Sequence, residues 1–150
     1  MARSIAGFIV ALALLASASA SAASLIDSAQ ALAGVRAGEM TLIDVRSPGE
    51  WRGTGVARGA RTVTIHDPEG LAGFVAAVTR AVDGRKDQPI AVICARGGRS
   101  SRAMRALRAA GFSKLSNVRE GMLGNKIDGP GWLGRKLPVD GVPDSGRAGG

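Results

Sequence analysis

The apolar run Ile90 to Cys94 passes straight into Ala95-Arg96-Gly97-Gly98-Arg99-Ser100, and from Ser100 to Ala110 the pattern turns amphipathic. In that last stretch Ala103, Met104 and Leu107 share one side, Arg102, Arg105 and Arg108 recur along another, and Gly111 closes it. A short apolar run, a glycine loop and a helical period predict a strand, a tight turn and a helix. Such a unit restricts the fold to those in which parallel strands are covered by helices. It also sets the loop at a strand's carboxyl end, where open α/β sheets carry their chemistry. The chain's only cysteine, Cys94, stands at that tip.

The rest of the chain repeats the alternation. Leu25, Ala29, Leu32, Ala33 and Val35 recur at near-helical spacing, with Asp27 or Ser28 as a cap and Gly38 closing the segment. This predicts a short helix. Met40 to Val45 reads as a strand, and Ser47-Pro48-Gly49-Glu50 as a turn that begins another helical turn through Trp51. Val63 to Ile65 reads as a second, shorter strand, and Glu69 to Val82 as a helix burying Leu71, Phe74, Val75 and Val78. Lys114 to Val118 is the last strand of this reading. Gly121, Gly124, Gly129, Gly131 and Gly134 predict irregular chain around Trp132, and residues 140–150 a disordered tail. The expectation is one α/β domain over residues 24–139, with a mainly parallel sheet and helices on both faces.

At the N-terminus, Arg3 precedes the apolar run Ile5 to Leu15 and then a series of alternating Ala and Ser ending at Ala23. This is the pattern of a cleaved secretory signal over residues 1–23. Its strongly apolar core covers about half of the roughly 20 residues a spanning helix needs, so no stable membrane insertion is expected after cleavage. The expected location is outside the cytosol, in a bacterial periplasm. The 150-residue chain carries a net charge of +8, which favours anionic small molecules or acidic partners. With three Phe, two Trp and no Tyr it has little aromatic surface for stacking bases, and export argues further against nucleic acid. One cysteine forms no intrachain disulfide, and a lone thiol in an exported protein is either buried or reactive.

Two readings of Cys94 stand at this point. As a core residue it would be a small, inert hydrophobe. As a nucleophile it would react as a thiolate, and the start of a helix beside arginines favours that form. The composition of the loop supports the second reading, because Gly97 and Gly98 let successive backbone N–H groups converge into an anion-binding concavity flanked by Arg96 and Arg99. His66, the only histidine, has no second histidine or cysteine to make a metal set, and nothing calls for a cofactor. Trp51 and Trp132 read as packing residues, and the Arg102, Arg105 and Arg108 series as a solvated helix face, with partner docking as the alternative.

Taken together, these landmarks resemble the single-domain rhodanese (thiosulfate sulfurtransferase) family over about Leu25 to Val139. Leu42-Ile43-Asp44-Val45-Arg46-Ser47-Pro48-Gly49-Glu50-Trp51 is similar to the family's Asp-Val-Arg-x-x-x-Glu-aromatic motif, and Gly59-Ala60 stands where the family shows Pro-Gly-Ala. Val92 to Ser100, Ala106-Leu107, Gly111-Phe112, Val118 to Met122, and Gly131-Trp132 to Leu137-Pro138 complete the resemblance. It implies a rhodanese-like fold and a loop cysteine that takes sulfane sulfur from a donor such as thiosulfate and yields it to cyanide or a thiol. Carried onto this chain, Cys94 is the nucleophile and the N–H groups of Ala95, Arg96, Gly97, Gly98, Arg99 and Ser100 cradle the persulfide charge. Arg96 and Arg99 draw in the anionic donor, with Arg99 alternatively a clamp for the loop. Asp44, Arg46 and Glu50 form a polar network that holds the loop. Related cysteine phosphatases place five residues between Cys and Arg, whereas four separate Cys94 from Arg99 and Ser100 takes the phosphatase arginine position. The alternatives are a noncatalytic rhodanese-like binding module and a thiol carrier or redox sensor, which no resolving cysteine supports.

Overall fold

The structure, a computed structural model, describes residues 24–142. The expected signal over 1–23 and the end of the expected tail, 143–150, lie outside the described residues. Elements run in the order β1 (Ser24–Ile26), α1 (Ser28–Arg36), β2 (Thr41–Asp44), α2 (Pro48–Thr54), β3 (Val56–Ala57), β4 (Arg61–Thr62), α3 (Gly70–Ala81), β5 (Ile90–Ile93), α4 (Gly98–Ala109), β6 (Leu115–Val118), α5 (Gly131–Gly134) and β7 (Val139–Asp140). A five-stranded sheet in the order β1-β6-β5-β2-β4 is parallel at every pairing, and β3 and β7 form a separate antiparallel pair. No helix among the described residues is long and apolar enough to cross a membrane.

Side chains along β5 alternate between the two cores. Ile90, Val92 and Cys94 face Phe74, Val78, Ala103, Met104 and Leu107, so α3 and α4 cover that side. Ala91 and Ile93 face Ala31, Leu32, Met122 and Trp132, the side of α1 and α5. A period of two along a strand sealed on both faces makes the run wholly apolar. Each fully buried Leu, Val or Phe contributes about 1.5–3 kcal/mol, enough to fix the register of the central strand.

Several boundaries differ from the sequence expectation. Leu25 lies in β1 and not on the first helix, which Asp27 caps through a reciprocal bond set with Gln30. The shorter strand is Arg61–Thr62 and not Val63 to Ile65; Val63 and Ile65 still donate to Asp44 and Val45, but beyond regular pairing. The helix after the loop starts at Gly98, two residues early, and Trp132 lies on a short helix where irregular chain was expected. Lys114 to Val118 is not the last strand, and the chain is still paired at Asp140, inside the expected tail. There β7 meets β3, and the Asp140 carboxylate accepts from Arg58 Nε at 3.0 Å and from the Gly59 N–H at 2.9 Å.

Candidate active site

Cys94 follows the central strand and its side chain is wholly buried (0%). The chain then turns back on it. Gly97 donates its N–H to Sγ at 3.1 Å, and Sγ lies 3.4 Å from Ser100 Oγ, which donates onward to the Gly97 carbonyl at 3.0 Å. Gly97 reaches this position at φ +95°, in the left-handed region, and a Cβ there would run into the Arg119 carbonyl. Both facts require glycine. Gly98, Arg99 and Ser100 form the first turn of α4, whose N–H groups have no intrahelical acceptor. Of the loop N–H groups expected to cradle the sulfur, the Gly97 N–H is the one that meets it, at the positive end of a twelve-residue helix.

The chain after β6 is laid against this loop. Met122 and Leu123 donate to the carbonyls of Cys94 and Ala95, both at 2.9 Å, and Arg96 donates to Gly124 at 2.9 Å. Gly121, at φ +67°, allows that approach, since a Cβ would overlap the same two carbonyls. Behind the loop, Asn117 on β6 donates to Ser101 Oγ at 2.9 Å, and Ser101 donates to the Gly97 carbonyl at 2.7 Å.

The residues expected to form one polar network divide into two pairs. Asp44 and Arg46 make a buried ion pair at 2.7 Å, and Arg46 also donates to Thr54 Oγ1 and the Gly55 carbonyl. This pair braces β2 against α2. Glu50 alone reaches the loop, taking both terminal nitrogens of Arg99 at 2.6 Å each. Arg99 thereby ties the start of α4 to α2. Its hydrogen bonds, acting against burial and helped by Ser47, hold the Glu50 carboxyl down at about 2.

Beside the loop lies a cavity of about 390 Å³ lined by Arg96, Gly97, Gly98, Ser101, Arg119, Asn125, Lys126, Ile127 and Asp128. Arg96 thus lines this cavity and Cys94 does not. Arg119, Asn125 and Lys126 were not singled out in the sequence, because residues in a glycine-rich segment carry no period to betray which side they face. Glu120 was also missed. Its carboxylate is buried and accepts from Ser28 N–H at 2.7 Å, Gly131 N–H at 3.0 Å and Arg135 Nε at 2.8 Å. Burial pushes this carboxyl up, but Arg135 and the Ser28 and Gly131 N–H groups outweigh it and hold it at about 2. Glu120 thereby anchors the segment that backs the loop.

A family model described as rhodanese-like domain matches residues 27–126, which include both motifs and the loop. The chain belongs to the rhodanese-like domain family. No curated protein sequence matches it. Among solved structures, this rhodanese-like domain is similar to a crystal structure from M. tuberculosis, with 26% identity and a TM-score of 0.63 over 80% of this chain and 98% of that one. It is also similar to the rhodanese-like domain of an Anabaena protein, with 22% identity and a TM-score of 0.60 over 84% and 85% of the two chains. A third is the polysulfide-sulfur transferase homodimer of Wolinella succinogenes, with 22% identity and a TM-score of 0.58 over 83% of each chain. The last two likenesses are likenesses of fold.

Proposed function

We propose that this rhodanese-like domain is a sulfurtransferase that moves sulfane sulfur from a thiosulfate-like donor to a nucleophilic acceptor through a persulfide on Cys94. The observation that carries the reading is the Gly97 N–H aimed at Sγ from a loop wrapped round the sulfur at the start of α4. In the first step the Cys94 thiolate attacks the outer sulfur of thiosulfate; the new S–S bond forms as the old one breaks, and sulfite leaves with its electron pair. In the second, cyanide or a thiolate attacks the terminal sulfur and Cys94 leaves as the thiolate. The loop N–H groups stabilise negative charge on the thiolate and persulfide, and the Ser100 hydroxyl is within reach to turn its proton toward the sulfur. The four-residue spacing from Cys94 to Arg99, with Arg99 engaged by Glu50, supports sulfur transfer over phosphate chemistry.

Intact mass spectrometry after thiosulfate treatment tests this: the chain gains one sulfur, about 32 Da, reversed by cyanide or a reductant, and Cys94→Ser gains none and forms no thiocyanate while staying folded. The complete burial of Cys94 favours a noncatalytic binding module instead, and that reading stands if the wild-type mass is unchanged.

The proposal includes export to a periplasm. The charged start at Arg3, the apolar core Ile5 to Leu15 and the small-residue run to Ala23 support it. N-terminal sequencing of the exported pool should find a start between Ser21 and Ser24; a full-length chain recovered only in membranes contradicts this.

A further inference from the structure

The two helices that cover one face of the sheet leave an apolar groove of about 520 Å³ between them, walled by Leu71, Ala72, Val75 and Ala76 of α3 and by Ala106, Ala109 and Ala110 at the end of α4. Leu71, Val75 and Ala110 rest on the core beneath, while Ala72, Ala76 and Ala109 are exposed. Arg102 and Arg105 lie one turn before Ala106 and Ala109 on the same stripe of α4. Both are exposed, and neither forms an ion pair among the described residues. An apolar channel bordered by unpaired guanidiniums is complementary to one kind of surface, an apolar helix stripe with carboxylates at its edge.

We propose that the groove between α3 and α4 docks an amphipathic helix of a partner protein, with its apolar stripe in the groove and its acidic side chains against Arg102 and Arg105. Charge argues against a second copy of this chain as the occupant. At a net +8, a symmetric contact would set one arginine row against another. The groove lies at the far end of α4 from the loop, about 12–18 Å along the helix axis from Gly98, so a docked partner would be held away from the sulfur. The proposal does not depend on sulfur transfer.

The test titrates the isotope-labelled chain with a synthetic helical peptide that has leucine and alanine on one face and glutamate on its flanks, and with the same peptide carrying lysine for glutamate. The glutamate peptide should shift amide resonances of residues 71–76 and 106–110, and Arg102→Glu combined with Arg105→Glu should weaken it about tenfold. Binding should fall with added salt. Ala109→Glu, at an exposed position, keeps the native spectral dispersion and loses the peptide. Shifts confined to the loop at Cys94 to Ser100, equal binding of the lysine peptide, or undiminished binding by the arginine variant overturns the proposal. So does binding to anionic vesicles that the glutamate peptide does not displace.

Discussion

Arg99 holds the loop through two parallel hydrogen bonds to Glu50, a geometry only a guanidinium provides. Its loss leaves the loop tied from one side. Arg99→Ala should therefore lower thiocyanate formation by about tenfold or more, with Arg99→Lys intermediate, whereas Arg108→Ala on the solvated face should stay within about twofold. Equal losses at 99 and 108 would remove the clamp from the mechanism. Gly97 is constrained differently, since its positive φ and the Arg119 carbonyl both refuse a side chain. Gly97→Ala should cost about 1–3 kcal/mol in urea unfolding and abolish persulfide formation, because the N–H that meets Sγ would be displaced.

The elements were legible to the extent that period and length could show them. The stretch from Ile90 through Leu107 declared a strand and a helix because four apolar residues and a clear helical stripe leave little choice. The same was true of the segments around Leu42 and Phe74. Ser24–Ile26 was hidden because a three-residue edge strand with an exposed Leu25 has no alternation to read, and the two-residue strands β3 and β7 exist only through partners far along the chain. At the site, Cys94 and the glycines could be read because each residue type has few reasons to be there. Glu120 and Asn117 could not, since their meaning lies in which N–H or hydroxyl faces them. Motif residues also conceal their partners. Asp44 and Arg46 brace one element against another without touching the loop, so each single removal should be costly: Arg46→Met leaves a buried carboxylate unpaired, at about 3–5 kcal/mol in urea unfolding. Asp44→Leu combined with Arg46→Met should cost less than that single change. A double variant worse than the sum of its parts would contradict this division.

For the molecule as a whole, Glu50 and Glu120 titrate at about 2 in the folded chain against an ordinary 4.5. The unfolded chain therefore takes up these protons first as the pH falls. Their contribution is complete above about pH 4.5 and is lost on the way down to about pH 2. Urea midpoints measured across that window should fall, and Glu50→Gln should flatten part of the fall; an unchanged slope would sever the link to the clamp. At higher pH the domain is held shut around its one thiol, with no part of Cys94 at the surface and its loop bonded to Met122, Leu123 and Glu50. Chemistry at that sulfur must wait for the protein to breathe. Alkylation should accelerate with reagent concentration and then level off at a ceiling set by how often the loop opens, and two reagents of unequal intrinsic reactivity should share that ceiling. A rhodanese-like domain built this way keeps its own clock, admitting any reagent for its thiol only at the rate at which it lets go of itself.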